Sequence, residues 1–226
     1  MGQIFEIMNL SISRKLMFAA MLIPIQTPEN WSLQSYSSIS KNEVNFSERG
    51  VLVKVNSSAS PLIFPFKEKA RLEGFKISGE FRGLPKLGDP SRQGDKGFDD
   101  FPLRVGFVVS GKNKLGGFQK LVAKDWVRRL FSLAPEGEGI DKILFFNITQ
   151  DVHQVGTERV HPMSEFIHET FIDSVTEKGH FNYNYTFKVP IAVLAIWISI
   201  DGDDTKSAFD VLINSLDVRK ADQNAK

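Results

Sequence analysis

Cysteine is absent from the 226 residues. That removes disulfides, thiol catalysis and Cys-based zinc or iron–sulfur sites together. Long apolar runs are missing as well. The best candidate, Leu16 to Ile25, falls well short of the ~20 residues that a membrane-spanning helix needs, so no integral membrane segment is expected. Charge of one sign is not in excess either: 28 Lys and Arg face 27 Asp and Glu, a net charge of +1. No global field therefore draws in nucleic acid or an anionic membrane. There is no Walker A loop, no strand–Gly-x-Gly-x-x-Gly–helix unit and no Gly-x-Ser-x-Gly elbow. Tyr and Trp are scarce, at 3 each, whereas Phe is abundant, at 19. A Phe-rich and β-branched-rich chain favours strands packed face to face.

The N-terminal segment reads as an address. Arg14 and Lys15 precede the apolar run, and a short basic region followed by about ten apolar residues has the form of a secretory signal. Residues 1–26 are expected to be a signal peptide, with a mature start between Gln26 and Glu29. A single β-sandwich domain would then occupy 27–226, periplasmic or secreted.

Beyond it, apolar residues recur mostly at period two. Val51, Val53 and Val55 share one face, as do Phe75, Ile77 and Phe81, and Leu103, Val105, Phe107 and Val109. Further strands are expected at 62–66, 143–148, 165–175, 183–189, 193–200 and 209–218. Around 120–133 the period changes: Val122, Trp126, Leu130 and Leu133 recur at three- and four-residue spacing, which predicts one short helix ended before Pro135. Short strands with turn signals between them indicate an all-β, antiparallel sandwich of jelly-roll type with that one helix.

Three segments could carry chemistry. Asp201, Asp203, Asp204 and Thr205 place oxygens at close spacing, as a hard cation such as Ca²⁺ requires. Lys206 and Leu212 stand where an EF-hand needs Gly and Glu, so an EF-hand is excluded, and a polar hairpin turn is the plainer reading. Asp99 and Asp100 sit where a flexible loop enters the strand at 101–110, with Arg104 placed to pair with one of them. These three, with Trp126 as a stacking platform, are the candidate ligand-binding set. His153, His161 and His168 lie among Asp151, Glu158, Glu165 and Glu169, without the HExxH spacing of zinc peptidases. The Ser57-Ser58-Ala59-Ser60 run reads as a tight turn. No residue is singled out as catalytic.

Three segments, taken in order, resemble a family of exported bacterial proteins defined by a domain of unknown function. They are Ser58-Ala59-Ser60 after the 51–55 strand, Asp99-Asp100-Phe101-Pro102-Leu103-Arg104-Val105, and the apolar 196–200 strand running into Asp201–Thr205. The likeness spans roughly residues 45–218. Leu144-Phe145-Phe146-Asn147 departs from the family's Trp-containing strand, and the Trp126 region looks like an insertion. The resemblance implies a jelly-roll similar to carbohydrate-binding modules. The expectation is a non-catalytic protein that binds a polysaccharide or cell-envelope glycan, with Ca²⁺ as the candidate cation. The alternatives are a polysaccharide lyase or glycoside hydrolase using His and carboxylates, and a structural envelope protein.

Overall fold

The computed structural model describes residues 20–116 and 123–221. Its strands are β1 (Ala20–Leu22), β2 (Ser32–Leu33), β3 (Glu43–Ser47), β4 (Gly50–Asn56), β5 (Leu62–Phe81), β6 (Leu103–Gly111), β7 (Gly139–Thr149), β8 (Glu158–Val160), β9 (Ile167–Ser174), β10 (Gly179–Ser199) and β11 (Ala208–Lys220). Among the described residues one α-helix, α1 (Asp125–Phe131), precedes β7. The protein is an all-β sandwich whose eleven strands form one continuous hydrogen-bonded sheet folded into two layers.

The fold into two layers happens inside β5 and β10. The early half of β10 pairs with Gly74–Phe81, and its late half pairs with Leu62–Pro65. Between them the register slips at Thr186/Ile191 and again at Val193/Ala195. Such bulges bend a strand and let it pass from one layer to the other. Strands expected separately at 62–66 and 75–81 are thus one strand, as are those at 183–189 and 193–200. Pro65 is exposed and stands opposite Ala195, next to the second slip, where a missing N–H is tolerated.

The first layer contains β3, β4, β11, the late half of β5 and the early half of β10, with β1 added along β11. The second contains β2, the early half of β5, the late half of β10, then β6, β7, β9 and β8. Pairing is antiparallel except between β7 and β9, which run parallel. Between the layers Phe75 packs on Phe107 and Phe146, with ring centroids 5.2 and 5.4 Å apart, and Phe187 stacks on Phe146 at 5.2 Å. Each buried Phe contributes about 1.5–3 kcal/mol, which explains why the chain uses Phe so heavily.

The second layer is buried on its outer face too. Leu103, Val105 and Phe107 of β6 point into the sandwich, while Val108 points outward. Leu130 of α1 caps that outer face among Ile143, Phe145, Leu194 and Trp197. Of the expected helical period, Val122 lies outside the described residues.

The residues just before the expected boundary at 26 are packed against the first layer. Residues 1–19 lie outside the described residues, but Ala20–Leu22 pairs with Asp217–Arg219, and Ile23 and Ile25 are 1% and 0% exposed in the core. Trp31 Nε1 donates to the Pro24 carbonyl at 2.6 Å.

Candidate functional site

A cavity of about 600 Å³ opens on the outer face of the second layer. Its floor follows from strand alternation. Arg104 and Gly106 of β6 stand opposite Ser199 and Trp197 of β10 on one side, and opposite Asn147 and Phe145 of β7 on the other. Phe145, Trp197 and Ser199 line the cavity with Ile143. Gly106 makes this floor possible: a Cβ there would stand 2.6 Å from the Phe145 ring and 2.8 Å from the Trp197 carbonyl oxygen.

The walls are loops. Tyr36 to Ile39, Ala123 to Trp126 at the start of α1, His161 with Met163, and the 201–204 turn all line the cavity. Asp99 and Arg104 stand with them at its polar end. The structure therefore brings together Asp99, Arg104, Trp126, Asp201, Asp203 and Asp204 from the expected set. Asp100 and Thr205 do not line the cavity.

Asp100 acts as a clamp instead. Its carboxylate is buried and accepts from the Asp204 and Thr205 amides at 3.3 and 2.7 Å and from the Thr205 hydroxyl at 2.6 Å. Asp204 answers by accepting the Asp99 amide at 3.2 Å. Two segments a hundred residues apart are locked by these bonds. The Ser58-Ala59-Ser60 turn supports the same end: the Gly202 amide donates to the Ser58 carbonyl, and Asn42 bridges Ser58, Ser60 and the Ile200 carbonyl.

Arg104 is the hub of the charge network. It is only 7% exposed, lies over the Phe101 ring at 4.2 Å, and donates from Nη2 to Asp99 Oδ1 at 3.0 Å and to the Asp99 carbonyl. Its Nε stands 3.5 Å from Asp201 Oδ2 without a hydrogen bond, and Glu169 lies 3.9 Å from Nη1. Glu169 itself is held by Asn147 and Arg159.

These surroundings split the carboxylates. For Asp99, burial works to raise the pKa, but the Arg104 guanidinium, the His161 hydrogen bond and Arg159 outweigh it and hold the group below its ordinary range. For Asp201, burial dominates; Arg104 opposes it, Asp100, Asp203 and Asp99 add repulsion, and the group is pushed up to about 8. Asp203 is raised by burial and by its neighbours Asp100 and Asp204. The Tyr36 phenol is raised by burial and by Asp201, with Arg104 pulling the other way, so it stays neutral.

His161, a member of the third acidic segment, sits in the cleft and was not legible as a site residue from spacing. The Met163 amide donates to its Nδ1 at 3.1 Å, and its Nε2 lies 2.9 Å from Asp99 Oδ2. Nδ1 is thus the acceptor, and Nε2 carries the proton given to Asp99. Tyr36 also had no sequence signal beyond being one of few tyrosines. His153 and His168 do not line the cavity.

Asp201, Asp204 and Thr205 turn their oxygens to different partners, Arg104, the Asp99 amide and Asp100. Among the described residues, no group of three or more His, Asp or Glu side chains is arranged to hold a metal ion.

No family model matches the chain, and no curated protein matches it significantly. The family resemblance therefore stands on the three short segments alone. Solved structures share a likeness of shape. A xylan-binding module, CBM15, is 10% identical over 90% of this chain and 97% of its own, with a TM-score of 0.35. The exoplasmic/lumenal domain of VIP36 in its Ca²⁺/Man3GlcNAc-bound form is 10% identical over 92% and 90%, with a TM-score of 0.38. The carbohydrate recognition domain of Emp46p, metal-free, is 12% identical over 84% and 88%, with a TM-score of 0.34. At these TM-scores the likenesses say nothing about ligand or chemistry.

Proposed function

We propose that this protein binds a glycan, without cleaving it, in the cavity on the outer face of its second layer. The observation that carries the proposal is the cavity's composition. The half-buried Trp126 supplies flat apolar surface above a floor that includes the buried Trp197, and Tyr36, Ser37, Ser199 and the Arg104–Asp99 pair stand beside it. Sugars present apolar ring faces and hydroxyl edges, and such a mixture of aromatic surface with a few fixed polar groups binds both. Export to the periplasm or the medium belongs to this proposal, since glycans of that kind lie outside the cell. Among the described residues, no helix is long and apolar enough to cross a membrane.

Two groups in the cavity support a reading without catalysis. A general base needs a free lone pair near its substrate. Both ring nitrogens of His161 are engaged, and Tyr36 is held as a neutral phenol. One feature favours the hydrolase alternative: Asp201, pushed up to about 8, is a carboxylic acid that keeps its proton at neutral pH, as a general acid would.

Affinity electrophoresis against a panel of soluble polysaccharides tests the proposal. Retardation by at least one polysaccharide is expected, with Trp126→Ala weakening it about tenfold or more while the fold persists, because Trp126 is only half-buried. Release of reducing ends or unsaturated sugars from the bound polysaccharide would replace the binding reading with the enzymatic one. No retardation by any of them would overturn it.

A further inference from the structure

The cavity is not electrically balanced. Asp99, Asp125, Asp203 and Asp204, with Asp201 as a neutral acid, line it against Arg104 and Lys124. Asp125 is paired with Arg128 outside the cavity, Asp99 is paired with Arg104 and more distantly with Arg159, and Asp201 stands beside Arg104. Asp203 and Asp204 have no ion-pair partner within 4.0 Å among the described residues. The nearby Lys206 ammonium is spent on the Asp203 carbonyl, at 2.6 Å, rather than on either carboxylate. Behind them lies Asp100, a further buried negative charge satisfied only by amides and a hydroxyl. Asp203 is half-buried and Asp204 exposed, so both can meet a ligand.

Two carboxylates side by side without a cation repel each other; Asp203 is raised first by burial, then by Asp100 and by Asp204. A positive charge arriving at the rim would relieve that repulsion. A divalent metal does not suit the place, because no three acidic or His side chains converge there among the described residues. An ammonium suits it better, since it needs only two or three acceptors and no closed coordination shell. Further inside, the half-buried Trp126 offers a face that attracts a cation-bearing ring. The buried Arg104 Nε, which has no hydrogen-bond partner, is a donor beside the same cavity. Acceptors at the rim, one aromatic face and an unpartnered donor behind them describe a ligand with an amine, a flat apolar face and an oxygen acceptor.

We infer that the glycan bound here carries free amines, that is, a hexosamine chain whose ammonium groups meet Asp203 and Asp204 while a ring lies on Trp126. This rests on the glycan-binding reading and names its substrate class. An anionic sugar such as a uronate would face the same carboxylates and be repelled.

Isothermal titration with three probes tests the inference: a glucosamine tetramer, its fully N-acetylated counterpart, and a neutral tetrasaccharide such as xylotetraose. The buffer is mildly acidic, so that the amines are charged. The glucosamine tetramer is expected to bind about tenfold or more tighter than the other two. Asp203→Asn combined with Asp204→Asn is expected to remove that preference, with a melting curve checking that the variant folds. Should the variant not fold, raising salt on the unaltered protein serves instead, because a charge-based preference shrinks with screening. Equal or tighter binding of the N-acetylated or neutral tetramer overturns the inference while leaving glycan binding intact. A preference that survives both the double substitution and high salt overturns the role of Asp203 and Asp204. Binding that depends on added Ca²⁺ and is abolished by EDTA overturns the inference in favour of a metal. No binding of any probe removes the inference and counts against glycan binding itself.

Discussion

At the residue scale the site hangs on Arg104 and on Gly106. Removing a buried guanidinium leaves the Asp99 carboxylate without its main counter-charge, beside Asp201 and Glu169. Arg104→Met is expected to cost roughly 3–5 kcal/mol of stability, the usual range for breaking a buried ion pair from one side. Urea denaturation at neutral pH measures it. At acidic pH, where the carboxylates protonate, the deficit should shrink; a deficit independent of pH would show that Arg104 acts by packing alone. Gly106→Ala is expected to cost about 1–3 kcal/mol through overpacking. The Cβ would stand 2.6 Å from the Phe145 ring, and Phe145 is floor as well as core. Loss of glycan affinity beyond the loss of stability would then report a displaced floor. Arg104 was legible as a partner of Asp99 or Asp100 because all three lie in one short segment, and the structure pairs it with Asp99. Gly106 was not, because nothing in a strand pattern shows which ring crosses from the neighbouring strand.

At the element scale the short N-terminal strand matters more than its length suggests. β1 adds to the first layer along β11, and Ile23 and Ile25 follow it into the core. Two fully buried Ile side chains contribute about 1.5–3 kcal/mol each. A chain that starts at Gln26 is therefore expected to be several kcal/mol less stable than one that starts at Ala20, or not to fold. Chemical denaturation of the two purified chains decides it; equal stability would show β1 to be dispensable. The helix has the opposite character. α1 is short and has no side-chain N-cap, so its stability comes from Leu130 seated on the outer face of the second layer. Its period was readable, yet its job was not: it roofs a sheet face and sets Trp126 at the cavity wall.

At the scale of the whole molecule, the crowded carboxylates make stability depend on pH in two opposed ways. Asp201 rises from an ordinary 3.8 to about 8 on folding. The folded state then holds its proton more tightly, so this group's contribution is full below about 4 and is lost as pH rises toward 8. Asp99 is held low, so its contribution is full above the ordinary range and is lost as pH falls through its depressed value. The stability of the native protein relative to Asp201→Asn is thus expected to decline between pH 4 and pH 8, by on the order of a few kcal/mol. Melting temperatures of the two proteins across that window test it. A constant difference would show that Asp201 is already ionised in the fold, balanced by Arg104.

What the sequence determined by itself was local and periodic. Alternation in β4, β6 and the late half of β5 named the inward-facing residues. The three- and four-residue spacing around Trp126 named the helix, and Asp99, Arg104 and Asp201 to Asp204 were recognisable as segments able to carry chemistry. Alternation and spacing act between neighbours in the chain, so they can be read from it. Tertiary structure alone decided that β5 and β10 each serve both layers, because a bulge is visible only as a slip between two strands. It alone decided that the two acidic turns meet, through Asp100 reaching across to the Asp204 and Thr205 amides. It also placed Tyr36 and His161 in the same cleft. Those contacts join residues more than sixty positions apart, and their existence depends on where the second layer puts its outer face.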